Sequence, residues 1–88
     1  MKVIQGLSEE HRKLVAKAKE LGVFDKLPKR ELMVIEQRMG CFPEPPKTLK
    51  HIGSIMGISR TRVGQIQSKA LRRLNIRCRK KEEANGQQ

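Results

Sequence analysis

Gly57 lies between two short stretches of sequence in which apolar residues recur every three or four positions, the spacing of an amphipathic helix. A glycine tolerates the positive φ that a tight turn between two helices requires. Gly53, four residues earlier, is small enough to let the backbones of two steeply crossing helices approach each other. Thr48 and Ser59 stand at the start of the two stretches and are good N-cap residues. This arrangement predicts a helix-turn-helix.

The two predicted helices bury their apolar sides against each other. Ile52 and Met56 on the first helix face Val63 and Ile66 on the second, and Ile58 fills the corner between them. The opposite face of the second helix is cationic and amide-bearing, with no acidic residue. Its side chains are Arg60, Thr61, Arg62, Gln65, Lys69 and Arg72. Such a face suits the major groove of duplex DNA.

Two further helices precede this motif. Ser8 can cap the first helix and Gly22 can end it, while the second opens at Pro28 and stops at Gly40. The segment 41–47 contains three prolines and cannot continue a helix, so we predict an extended connector there.

The predicted fold is therefore all-α, a small four-helix domain with a helix-turn-helix and no wing. Residues 1–24 form an N-terminal helical extension and residues 25–76 the helix-turn-helix domain, whose last helix spans 59–75. From Arg77 the sequence has no apolar periodicity. We therefore predict that residues 77–88 form a flexible tail, basic at first and then polar.

The positive charge is concentrated in one block. Between Lys47 and Lys81 there are 11 of the 20 Lys and Arg residues and none of the 9 Asp and Glu residues, whereas the other 9 basic residues balance the 9 acidic ones. A block of one sign is typical of proteins that bind a polyanion. The basic helix lacks the large anchors of a membrane-surface helix, and aromatic platforms for single-stranded nucleic acid are absent from the block. Duplex DNA is the best candidate.

Other classes of function find little support in the sequence. No apolar run is long enough to cross a membrane and no signal peptide begins the chain, so we expect a cytoplasmic, nucleoid-associated protein. Cys41 and Cys78 are expected to be free thiols. Neither they nor His11 and His51 have metal-ligand spacing, and no catalytic arrangement is evident. We expect no metal, no cofactor and no enzymatic activity.

Two longer motifs resemble a known family. "LPKRELMVIEQRMG" (27–40) and "TLKHIGSIMGISRTRVGQIQSKALRRL" (48–74) resemble the fourth, C-terminal region of bacterial sigma factors of the primary type. In that family the region reads the upstream promoter hexamer and packs against the flap of the RNA polymerase β subunit.

The resemblance implies a set of DNA contacts. Arg60, Arg62, Gln65 and Lys69 would face the groove or its flanking phosphates, and Arg38 and Thr48 would touch the DNA backbone near helix ends. The complete set of candidate DNA-binding residues is Arg38, Lys47, Thr48, Ser59, Arg60, Thr61, Arg62, Gln65, Lys69 and Arg72. Two alternatives stay open. Arg38 could form an ion pair with Glu31 instead of touching DNA, and Arg72 and Arg73 could be solvated charges instead of phosphate contacts.

The chain also departs from the family. Thr61 stands where the family usually has glutamate and Gly64 where it has arginine, which removes base-edge contacts from the middle of the predicted reading face. Lys50 and His51 replace an acidic pair. We therefore expect an altered or weak sequence preference. The basic residues expected to add non-specific affinity are Arg77, Arg79, Lys80 and Lys81.

Three functions remain open at this point. Because the chain starts at Met1 and has a helix ahead of the family motifs, we expect a small stand-alone protein. It could hold upstream promoter DNA while docked on the polymerase β flap, as one half of a split sigma factor or as a co-activator. It could be a polymerase-independent helix-turn-helix repressor or activator that binds as a homodimer. It could instead compete with the resident sigma domain for the flap and inhibit transcription.

Overall fold

The structure is a computed structural model that describes residues 6–40 and 45–86. Over these residues it contains four α-helices and no β-strand, which confirms the all-α prediction. The helices are α1 (Glu9–Glu20), α2 (Lys29–Met39), α3 (Leu49–Met56) and α4 (Arg60–Gly86). A short 3-10 turn, Phe24–Lys26, which the sequence analysis did not predict, joins α1 to α2.

The helices begin where the sequence predicts. The Ser8 hydroxyl oxygen accepts a hydrogen bond of 3.2 Å from the His11 N–H at the start of α1. Thr48 does the same for the His51 N–H at 3.0 Å in α3, and Ser59 for the Arg62 N–H at 3.0 Å in α4. Each hydroxyl satisfies a backbone donor that has no partner inside its helix.

Two apolar clusters hold the helices together, and α4 contributes to both. The first cluster lies under the helix-turn-helix and consists of the buried residues Val34, Ile52, Val63 and Ile66. The second joins α1 and α2 to the later turns of α4, and its buried residues are Leu7, Val15, Ala18, Val23, Phe24, Leu27, Ile35, Ala70, Leu71, Leu74 and Cys78. The neighbours Val34 and Ile35 belong to different clusters, so α2 lies between the two. The helix-turn-helix is thus fixed to the rest of the molecule through α2 and α4.

Over residues 77–86 the structure corrects the prediction of a flexible tail; residues 87–88 of that prediction lie outside the described residues. α4 does not end at residue 75 but continues to Gly86, a length of 27 residues. Cys78, one turn after Leu74, is buried in the second cluster, so the apolar stripe of α4 runs further than the sequence analysis assumed. Arg77 donates a 2.8 Å hydrogen bond to the Lys26 carbonyl, and Lys17 of α1 forms an ion pair with Glu82.

Part of the predicted connector lies outside the described residues, including Cys41. Pro45, Pro46 and Lys47 are described and adopt no regular secondary structure. The Lys47 N–H donates a 2.9 Å hydrogen bond to the Gln37 carbonyl, which returns the chain to α2 before α3 begins.

Candidate nucleic-acid interface

The turn between α3 and α4 depends on two glycines. Gly57 has φ 72°, the left-handed conformation predicted for the turn. The Gly53 carbonyl accepts the backbone N–H of Gly57 and, at 2.9 Å, that of Ile58. A Cβ atom on Gly53 would lie 2.6 Å from the Ile58 carbonyl oxygen, which is closer than real Cβ contacts allow. The predicted close approach of the two backbones is therefore present.

The buried side of the helix-turn-helix also agrees with the prediction. Ile52 and Val63 are fully buried and Ile66 nearly so, while Met56 and Ile58 are partly buried against them. This packing fixes α4 against α3, and it determines which side of α4 faces the solvent.

The side of α4 that faces the solvent carries the predicted reading residues. The N-cap residue Ser59 is exposed, and so are all six predicted side chains on α4: Arg60, Thr61, Arg62, Gln65, Lys69 and Arg72. Between Arg60 and Arg72 the helix rises about 18 Å, which suits the length of a recognition helix lying in a major groove about 12 Å wide. No acidic residue occurs in α4 before Glu82, so this face is wholly cationic and polar.

One contact orders side chains within this face. The Arg62 guanidinium donates a 3.3 Å hydrogen bond from Nη1 to the amide oxygen of Gln65. Because carboxamide oxygens have two acceptor sites, Gln65 keeps one acceptor and both amide protons for another partner.

Thr48 and Lys47 lie at the N-terminal end of α3. Thr48 is exposed, and its hydroxyl group, which accepts from His51, retains its proton for donation to another acceptor. Lys47 is half-buried.

Arg38 lies beneath this surface rather than on the exposed face of α4. The acceptors of its guanidinium include Gln67 Oε1 at 2.8 Å, the Lys47 carbonyl at 2.8 Å and the Gly6 carbonyl at 3.0 Å. Burial lowers the pKa of Arg38. The side chain joins α2 to α4, to the segment before α3 and to the segment before α1, so its contacts support the site from within.

Glu31 and Arg73 form a second internal connection that the sequence analysis did not identify. Both carboxylate oxygens of the buried Glu31 accept hydrogen bonds from Arg73, at 3.0 and 3.2 Å. Arg73 is therefore partly buried in an ion pair and not a solvated charge, whereas Arg72 is exposed. The bidentate pair ties α2 to α4 one turn beyond the reading face.

Two other kinds of site can be checked in the described part of the chain. Residues 6–40 and 45–86 contain no cluster of three potential metal ligands. No helix among them combines the length and the apolar character needed to cross a membrane. Cys78 is a buried thiol whose pKa is raised by that burial, so its thiolate is disfavoured at neutral pH.

The fold and the exposed face together define a small helix-turn-helix domain built to bind nucleic acid. Comparison with known proteins then gives the family: the sequence model of "Sigma-70, region 4" matches residues 23–75, and the chain belongs to this family. It is a family of DNA-binding transcription factors, as the resemblance in the sequence indicated.

The relatives are much longer proteins. The chain is 47% identical over 57 residues to an RNA polymerase sigma factor, sigB, of Arabidopsis thaliana, a match that covers 65% of this chain and 10% of that protein. It is 39% identical over 59 residues to the RNA polymerase sigma factor SigA of a Bacillus species, covering 67% of this chain and 16% of the relative. No solved structure matches. Helix α1 and the end of α4 lie outside the residues that the family model matches.

Proposed function

We propose that this chain is a transcription factor that binds duplex promoter DNA by inserting the first half of α4 into the major groove. The observation that carries the proposal is the exposed cationic face from Arg60 to Arg72, held outward by the buried Val63 and Ile66 on the same helix. A helix fixed on its apolar side presents its polar side in one orientation, which is the requirement for reading base edges.

The residues divide into three roles in this proposal. Gln65 can make bidentate hydrogen bonds to adenine and an arginine can do so to guanine, each worth about 1–3 kcal/mol of discrimination. Thr48 and Ser59 lie at helix N-termini, where hydroxyl and backbone donors favour phosphate. The side chains proposed to face bases or flanking phosphates are Arg60, Thr61, Arg62, Gln65, Lys69 and Arg72. Lys47 would contact phosphate, and Arg38 would act indirectly by holding α4 in place.

A test of DNA binding follows from the charge. Four to six phosphate contacts predict that log Kd changes with log salt concentration with a slope of magnitude about 4–5. Fluorescence anisotropy with a duplex selected from a random library measures both affinity and slope. Arg60→Ala should weaken binding clearly, whereas Lys13→Ala, which removes the same charge from an exposed position on α1, should change it little. Equal losses in the two variants would contradict a docked reading helix.

We further propose that the chain docks on the β flap of RNA polymerase to modulate initiation. The support is family membership together with the similarity to two proteins named as RNA polymerase sigma factors. Binding to the isolated β flap in a pull-down tests the docking. Run-off transcription with the purified protein then distinguishes activation from inhibition. Failure to bind the flap, with DNA binding intact, would leave a polymerase-independent helix-turn-helix regulator.

A further inference from the structure

A shallow depression lies between the start of α3 and the exposed face of α4. We call it the α3–α4 notch, and it is lined by Leu49, Thr61 and Gly64 together with polar and cationic side chains, among them Gln65, Lys69 and Arg72. Gly64 contributes no side chain to it. Apart from the neighbouring residues and the backbone of its own helix, a Cβ atom placed there would meet only Leu49 Cδ1, at 3.8 Å.

The notch combines methyl groups with positively charged side chains. Leu49 is half-buried and supplies methyl groups, while Thr61 is exposed and supplies one methyl group and one hydroxyl. No carboxylate borders it, and the cations at its rim favour an anionic partner. Methyl groups of Leu49 and Thr61 among cationic and amide side chains suit an apolar group carried by a polyanion such as nucleic acid. In the major groove of DNA that group is the 5-methyl of thymine.

We infer that the α3–α4 notch receives the 5-methyl group of one thymine and that Thr61 and Gly64 determine this preference. The inference rests on the proposed insertion of α4 into the major groove. Thr61 supplies the methyl group that contacts the thymine, and Gly64 leaves the space for it. With small residues at positions 61 and 64, the helix recognises a base by van der Waals contact with its methyl group and not by hydrogen bonds to its edge. The two residues would then change the sequence preference of the protein and not only weaken it.

The experiment compares thymine with deoxyuracil, which lacks only the 5-methyl group. With the full chain and its best duplex from a random-library selection, each thymine is replaced by deoxyuridine in turn and Kd is measured by anisotropy. One position should lose about fourfold in affinity, the equivalent of about 0.8 kcal/mol for one buried methyl-sized group. The other positions should change little.

Three variants locate the methyl contact. Thr61→Ser removes the threonine methyl and keeps the hydroxyl, so the thymine-to-deoxyuracil effect should vanish at that position. Thr61→Val keeps the methyl and should retain the effect. Gly64→Leu fills the notch and should also abolish it, and circular dichroism confirms that each variant is folded.

The outcomes separate the inference from the function on which it rests. If wild-type protein binds duplex DNA with the expected salt dependence but no thymine is sensitive to deoxyuridine, the inference is overturned and the proposed function stands. The inference is also overturned if a sensitive thymine stays sensitive in both Thr61→Ser and Gly64→Leu, because its methyl is then read elsewhere. If the wild-type protein binds no duplex at all, both the proposed function and the inference about the notch fail.

Discussion

Replacing a glycine by alanine should have opposite effects at two positions of the helix-turn-helix, and this contrast tests the packing of the site. At Gly53 the new Cβ would lie 2.6 Å from the Ile58 carbonyl oxygen and 3.4 Å from the Ser59 carbonyl carbon. Both are backbone atoms of the turn, so they cannot move away without moving α4. At Gly64 the new Cβ would lie 3.8 Å from Leu49 Cδ1, an ordinary van der Waals distance.

The magnitudes follow from two opposing effects. Alanine in place of glycine inside a helix stabilises the folded state by about 0.5–1 kcal/mol. Inserting a methyl group into a close-packed contact costs about 1–3 kcal/mol, and more where only backbone atoms can yield. We therefore expect Gly53→Ala to lower the free energy of unfolding by about 2 kcal/mol. Gly64→Ala should raise it by about 0.5–1 kcal/mol.

Thermal unfolding followed by circular dichroism measures both changes. For a domain of this size, 1 kcal/mol corresponds to about 4–8 °C in Tm, so Gly53→Ala should unfold roughly 8–16 °C below wild type. Gly64→Ala should unfold a few degrees above it. The two variants are matched controls, because the chemical change is the same and only the surroundings differ. A Gly53→Ala protein as stable as wild type would refute the close approach of α3 and α4.

Three further predictions concern the contacts that fix α4 to the rest of the chain. Arg73→Met leaves the buried Glu31 carboxylate without its cationic partner, so the free energy of unfolding in urea should fall by about 2 kcal/mol. An unchanged urea midpoint would contradict a stabilising Glu31–Arg73 pair. Arg38→Lys keeps the charge but replaces the planar fork that donates to Gln67, Lys47 and Gly6, so the free energy of unfolding in urea should fall by about 1–3 kcal/mol, whereas full stability would show that charge alone suffices. In a Cys41→Ser background, Cys78 should react with iodoacetamide roughly 100-fold or more slowly in the native protein than in urea, because its thiol is buried and its pKa raised. Native reactivity equal to that of a free thiol would contradict the burial.

The helix-turn-helix could be predicted from sequence because its determinants are local. Thr48 and Ser59 cap the helices that follow them within three residues, and Gly57 acts on its own backbone torsion. Gly53 also acts locally, since the atoms it approaches belong to residues only a few positions ahead. Determinants of this range are visible in a single sequence without any knowledge of the fold.

The end of α4 could not be predicted in the same way. The sequence alone does not show that Cys78 is the next apolar residue of the stripe that includes Leu74. Its burial depends on α1, more than fifty residues earlier in the chain, and the ion pair of Lys17 with Glu82 spans a similar separation. Intrinsic helix propensity and local periodicity contain no information about such contacts, so tertiary packing overrode the local pattern.

The candidate site shows the same division. The residues on the exposed face of α4 follow from helix periodicity, and the structure places all of them on the solvent side. The acceptors of Arg38 do not follow from it, because Gly6, Lys47 and Gln67 come together only in the folded chain. At Gly64 the sequence shows only that a side chain is missing. The shape of the notch there depends on where Leu49 lies, and only the folded structure gives that position.

The contacts that hold α4 against the rest of the chain affect the entropy that the helix would lose on binding DNA. Along its length the helix is held successively by the cluster around Val63, by Arg38 at Gln67, by Glu31 at Arg73 and by the burial of Cys78. Most of the stability of a helix in a folded protein comes from tertiary packing of its apolar face, so these contacts contribute to the order of α4. A recognition helix that is ordered before it meets DNA does not lose that conformational entropy on binding. Helix α1 lies outside the family match but packs on α4 and follows the Gly6 carbonyl that Arg38 holds, so it contributes to this order.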